Sequence, residues 1–284
     1  ASNNTAVGYA SLNANTTGDR NVAVGTLALD ANTTADGNTA VGYAALTTNT
    51  TAEVNTAIGF SAMKLNTTGA SNTAVGANSL YANTTASNNT AVGTSALSAN
   101  TTGTFNTAVG SLAGDALTTG SRNTAFGKDA LTTDTLGSRS TALGFAALYS
   151  QNFTSATDSY NVAVGDQAGL NVTTGLQNTL IGGLAGDALT DADNNIAIGY
   201  GALSNDTLGS TSVGIGVLAL TEQNFTSATD TYNIAIGFRA GEKVSTGVQN
   251  TLIGGLAGDA LTDADYNTAV GYSALTSDTL GSRS

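Results

Sequence analysis

The sequence predicts an all-β chain: a parallel β-solenoid of sixteen coils, each 17 to 21 residues long. Three observations predict it. A glycine closes a short unit of the type Asn-Thr-Ala-Val-Gly at positions 8, 25, 42, 59, 76, 93, 110, 127, 144, 165, 182, 199, 216, 237, 254 and 271, and thirteen of the fifteen spacings are 17 residues while two are 21. The residues before each glycine alternate β-branched and small, which is the period of a strand. No 3.6-residue apolar stripe crosses a repeat, and Asn-Thr-Thr-Gly or Asp-Thr-Leu-Gly interrupts any helix.

The columns are read relative to that glycine, taken as position 0. Position −3 is Thr, Val or Ile in all sixteen repeats, and position −1 is Val, Ile, Leu or Phe. Between them, position −2 is Ala in thirteen repeats and otherwise Leu180, Gly214 or Leu252. A second short strand is expected just after the glycine, through Tyr43–Leu46 and its equivalents. Position +4 is Leu or Met63 in eleven repeats and Gly in five. In those five an apolar residue stands three places later (Leu117, Val172, Leu189, Val244, Leu261), which points to one core slot filled from two chain positions. Asn-Thr-Thr-Gly and Asp-Thr-Leu-Gly then turn the chain. Stacked at the inter-strand spacing, sixteen coils make a rod of roughly 75–80 Å.

Residues 1–284 read as a single repeat array. Residues 1–126 are simple 17-residue repeats. Residues 127–284 carry a 72-residue super-repeat, with insertions at 149–160 and 221–232 that share the text Gln-Asn-Phe-Thr-Ser-Ala-Thr-Asp. Ala1–Gly8 matches Ala86–Gly93, and the last seven residues match Asp134–Ser140, so the array is expected to be an excerpt of a longer fibre.

The first strand is apolar on both faces, Thr/Val with Val/Ile on one and Ala on the other. Strands of that kind are usually buried on both sides, and a thin coil has only one interior. The second face therefore calls for neighbouring chains or another layer; the alternative is a two-layer solenoid whose Thr face is solvated.

Composition narrows the function. Eight basic residues against a net charge of −12 leave no basic patch, so no nucleic acid is expected as partner. The absence of His and Cys removes Ser-His-Asp and Cys-His catalysis, imidazole and thiolate metal sites and disulfides. With no phosphate loop and almost every residue recurring sixteen-fold, the chain is expected not to be an enzyme and to need no cofactor or metal. No apolar run spans a bilayer, so no membrane insertion is expected in this segment.

The repeats Asn-Thr-Ala-Val-Gly-Tyr-Ala-Ala-Leu…Asn-Thr-Thr-Gly resemble the head repeats of YadA-type trimeric autotransporter adhesins, and more closely the Asn-Thr-Ala-Val-Gly repeats of phage tail fibres. The resemblance covers all sixteen repeats. It implies a left-handed β-roll, packing as a homotrimer, an extracellular location on a cell surface or virion tail fibre, and a partner in a host-cell surface glycan or protein receptor. The 17- and 21-residue units depart from the adhesin heads. The expected function is thus an elongated, structural fibre segment presenting a repetitive surface for attachment. The alternatives are a stand-alone ice- or glycan-binding β-solenoid, or a subunit that self-assembles end to end into a filament through open strand edges.

Several columns are candidates for specific roles. Asn4, Asn21, Asn38, Asn55, Asn72, Asn89, Asn106 and Asn123 stand at position −4, where stacked side chains can form an amide ladder. Loops on a rigid scaffold commonly carry recognition, so Asn152, Phe153 and Tyr160 of the first insertion and Asn224, Phe225 and Tyr232 of the second are candidate receptor contacts. Aromatic residues at +1 (Tyr9, Tyr43, Phe60, Phe145, Tyr200, Phe238, Tyr272) form either a packing edge or a sugar-stacking strip. The acidic stretches at Gly186–Asp193 and Gly258–Asp265 only partly match a calcium-binding nonapeptide and read as solvated corner carboxylates.

Overall fold

The structure is a computed structural model that describes residues 1–283. It is an all-β parallel solenoid of sixteen turns, one three-residue strand to each turn, with no helix among the described residues. The chain divides into two compact units: Ala1–Ser140 with Phe153–Asp158, and Thr141–Asn152 with the residues from Ser159 onward.

In the first unit the triplets Thr5–Val7, Val22–Val24, Thr39–Val41, Thr56–Ile58, Thr73–Val75, Thr90–Val92, Thr107–Val109 and Thr124–Phe126 pair in parallel, each with the next. Like stands on like: Thr39 faces Thr56, Ala40 faces Ala57 and Val41 faces Ile58. The second unit repeats the arrangement with Thr141–Leu143, Val162–Val164, Thr179–Ile181, Ile196–Ile198, Val213–Ile215, Ile234–Ile236, Thr251–Ile253 and Thr268–Val270. A 21-residue coil keeps this register, Thr141 facing Val162, so its four extra residues are absorbed elsewhere. They form extra two-residue strands, Thr157–Asp158 pairing with Gly137–Ser138 and Thr229–Asp230 with Gly209–Ser210.

The pleat sends the central residue of each triplet inward. Ala23, Ala40, Ala57, Leu180 and Leu252 are fully buried, while positions −3 and −1 face outward and remain partly exposed. The core is completed by Ala at +3 and Leu at +4, of which Ala28, Leu29, Ala45 and Leu46 are representative.

The segment after the corner glycine is not the second strand that alternation suggests. It is a run of turns in which positions +2 and +4 take left-handed backbone angles, as at Ala44 (φ 53°) and Leu46 (φ 51°). Its hydrogen bonds still join coils: Ala44 N–H donates back to Thr26 C=O at 2.9 Å, and Leu46 N–H donates forward to Ala62 C=O at 3.1 Å. A left-handed Leu costs about 1–2 kcal/mol, and full burial of its side chain returns about 2–3 kcal/mol. The core slot therefore outweighs the strain.

Where +4 is glycine, the strain is relieved and the slot is filled from +7. Gly114 has φ 57°, and a methyl group placed on it would lie 3.1 Å from Leu117 Cδ1. Leu180 and Leu252, the large residues at −2, belong to coils with glycine at +4; a Cβ on Gly186 would come within 2.7 Å of Leu180. One buried volume is thus shared among three columns.

Candidate functional site

Most invariant polar columns prove to be side-chain ladders that close the corners. At −4, Asn38 accepts the Asn55 N–H on its Oδ1 at 2.9 Å and donates Nδ2 to the Ala52 carbonyl at 2.9 Å. Asn4, Asn21, Asn55, Asn72, Asn89, Asn106 and Asn123 do the same, each capping the backbone of the coil that follows. The ladder thus runs from side chain to backbone; within this set only Asn72 also reaches its predecessor's amide, Asn55, at 3.2 Å.

The amide-to-amide ladder stands instead at +7. Asn32, Asn49, Asn66, Asn83 and Asn100 each donate Nδ2 to the Oδ1 of the Asn one coil earlier, at 2.8–3.3 Å. All five are fully buried. The sequence carried the signal, since +7 is Asn whenever +4 is apolar through the first six coils, but the Asn-Thr-Thr text reads equally as a turn. The Thr at +8 continues the pattern, Thr67 Oγ1 donating to the Thr84 carbonyl at 3.0 Å. At +11 a carboxylate or hydroxyl accepts the N–H of the coil before, as Asp36 does from Asp19 at 2.7 Å and Asp193 from Leu176 at 2.7 Å. These columns satisfy backbone groups that three-residue strands leave open.

The acidic stretches follow the same rule. Asp191 accepts from the Thr173 and Thr174 hydroxyls, which hold its carboxyl below the usual value. Asp187 is half-buried with one carboxylate oxygen unpartnered, and burial pushes its carboxyl up. Among the described residues no group of three acidic side chains converges in the way a metal ion needs.

The insertions correct an expectation. Phe153 and Phe225, candidate receptor contacts, are only 4% and 6% exposed and serve as core. Tyr160 and Tyr232 are exposed, as are Asn152 and Asn224. The residue that anchors each insertion is Gln151 or Gln223, both fully buried. Gln223 donates Nε2 to the Asp206 carboxylate and to Ser212 Oγ at 2.8 Å, and accepts from Asn233 Nδ2 at 2.9 Å. Asp206 also accepts the N–H groups of Gly209 and Phe225. Ser212 stands where other coils carry Asn, and Thr231 Oγ1, 2.6 Å from Ser212 Oγ, takes over the Asn233 N–H at 3.3 Å.

Two surfaces stand out among the described residues. One is the outer strand face, where Val7, Ile58, Phe126, Leu143, Ile181, Ile196, Ile236 and Val270 are exposed although they lie in a regular sheet. The other lies beyond the corner glycine in the first unit. There the Tyr43 and Phe60 rings stack with centroids 5.3 Å apart and planes 12° from parallel. They border a groove of about 690 Å³ lined also by Lys64, Tyr81, Ser95 and Ser98.

No protein-family model, curated protein or solved structure matches this chain.

Proposed function

We propose that the chain is a structural segment of an extracellular fibre, assembled as a homotrimer through the outer face of its strands and presenting a repetitive surface for attachment to a cell-surface glycan or protein receptor. The carrying observation is that outer face: exposed Val, Ile, Leu and Phe at −1 beside Thr, Val or Ile at −3, in strict register. Exposed apolar patches of this regularity mark interaction surfaces. The number three rests on the resemblance of the repeats to trimeric fibre heads. The ladders support a scaffold role, because the polar columns spend their hydrogen bonds on the backbone and on one another, and among the described residues no single constellation stands apart as an active centre.

Sedimentation velocity tests the assembly. A trimer is expected for the chain, and the pair Ile58→Asp with Val92→Asp is expected to yield monomer with unchanged circular dichroism, since both side chains face outward. A wild-type chain that sediments as monomer at micromolar concentration overturns the reading.

A second reading is favoured by one observation. Thr39, Thr56, Thr73, Thr90, Thr107 and Thr124 form an unbroken outward file in the first unit. Thermal hysteresis in a monomeric sample supports ice binding by that face instead.

A further inference from the structure

We propose that the groove in the first unit is a binding subsite for an acidic saccharide, a sugar chain bearing carboxylate groups. The proposal gives a ligand class to the attachment surface described above and rests on that reading.

The groove arises from a break in two columns. Position +1 runs Tyr43, Phe60, Ala77, Thr94, so the aromatic stack stops at Phe60 and the next coils drop to small side chains. Position +5 runs Lys64, Tyr81, Ser98, which adds the Tyr81 ring to the groove lining. The floor is Ser61, Asn78 and Ser95. A volume of about 690 Å³ lies within the range of small-ligand sites. Phe60 is 57% exposed, so its ring edge is open to a ligand in the groove.

The lining chemistry matches a sugar. A pyranose presents an apolar C–H face that packs on Phe60 and Tyr81, and its hydroxyl rim can bond to the serine hydroxyls and the Asn78 amide. Charge narrows the class. Lys64 lies over the Tyr81 ring, its Nζ 5.8 Å from the centroid, and makes no ion pair among the described residues. The net charge of −12 opposes an anionic ligand at long range, but Lys64 is the one charged side chain lining the groove and, without an acidic partner, it attracts a carboxylate at contact. A peptide fits less well, because the floor's N–H groups are already committed: Ser61 to Tyr43 C=O, Asn78 to Phe60 C=O and Ser95 to Ala77 C=O, each at 2.9 Å. An acidic peptide strand would find no backbone donors there.

The test is calorimetric titration of the full chain with a hexuronic-acid oligosaccharide, its carboxyl-reduced neutral counterpart, and an oligoglutamate of similar charge. Binding is expected for the acidic sugar. Lys64→Met is expected to weaken it about tenfold while leaving the weaker neutral-sugar binding unchanged. Phe60→Ser is expected to abolish both. These side chains lie on the surface, and unchanged circular dichroism and thermal midpoint confirm the fold of each variant. Absence of sugar binding overturns the proposal, as does binding indifferent to both substitutions, or oligoglutamate binding that equals the sugar's. Sedimentation of the same samples separates the two readings. A monomer that binds the acidic sugar overturns the trimer and keeps the groove, whereas a trimer that binds none overturns the groove and keeps the fibre.

Discussion

Gln223 donates its side-chain amide to the hydroxyl of Ser212 at 2.8 Å, and this contact joins two columns that are separate in the shorter coils. Gln reaches one methylene further than Asn, and Ser212 is shorter than the Asn usual at −4. The exchange makes room for the insertion without breaking the register of Val213–Ile215 on Ile234–Ile236.

Asp206 meets donors only: Gln223 Nε2 and the N–H groups of Gly209 and Phe225. Asp206→Asn turns an amide nitrogen toward one of them and is expected to destabilise by about 1–3 kcal/mol. Gln223→Glu places a second carboxylate against the first. Two buried like charges at hydrogen-bond distance repel, so the loss at neutral pH is expected to exceed that of Asp206→Asn, and protonation in acid is expected to reduce it. Urea unfolding followed at several pH values measures both; a Gln223→Glu deficit independent of pH counts against the buried contact.

The shared core slot predicts coupling. Leu117→Asn alone empties volume and is expected to cost about 2–4 kcal/mol, although it offers a donor to Asn100 Oδ1, which is buried without a partner. Gly114→Leu alone overfills the same space and is expected to cost about 1–3 kcal/mol. The double variant re-creates the arrangement of the coil before it, with Leu97 and Asn100. Its cost is expected to fall below the sum by more than about 1 kcal/mol in a double-mutant cycle. Simple additivity would mean that the slot is not shared.

Corner glycines combine two constraints that substitution can separate. A Cβ on Gly76 (φ 134°) would lie 2.4 Å from the Gly93 carbonyl oxygen, whereas one on Gly271 (φ 133°) meets nothing within 4 Å. Gly271→Ala is expected to cost only backbone strain, about 1–3 kcal/mol. Gly76→Ala adds a backbone collision and is expected to exceed about 4 kcal/mol. Hydrogen-exchange protection around each site reads the difference, and equal losses would show that strain alone sets the requirement.

Two carboxylates set opposite pH dependences. Asp187 is raised above 3.8 by burial, so the folded state favours its protonated form. That contribution is complete below the unfolded value and is lost as pH rises through the folded one. Asp187→Asn is therefore expected to raise the thermal midpoint at pH 7 and to change it little at about pH 3. Asp36 is lowered, first by the Asp19 N–H and then by Arg20, so its contribution is present above 3.8 and fades as pH falls through the folded value. Removing that acceptor, in Asp36→Ala, is expected to lower the midpoint at pH 7 and to matter less in acid.

The repeat period and the position of each triplet strand were legible because they recur sixteen times with the period of a strand, whereas both faces of that strand are apolar and the sequence left open which one is interior. The segment Tyr43–Leu46 was misread as a strand because Ala44 and Leu46 carry no sequence mark of their left-handed angles. Burial of Leu46 stabilises that conformation, and burial is a property of the stacked coil. Phe153 and Phe225 were misread as presented, because an insertion beside a corner reads as a loop until its volume is seen to fill the core.

The sequence by itself determined that this chain is a stack of equivalent coils, since identical columns at a fixed spacing meet like with like in only one register. Tertiary structure decided which side of each column is interior. It turned Asn66 inward onto Asn49, sent Gln223 to Ser212 and left Ile58 and Phe60 facing outward. The reason is physical: a column's chemistry is set by what stands one coil away and across the core, and neither neighbour is adjacent in the chain.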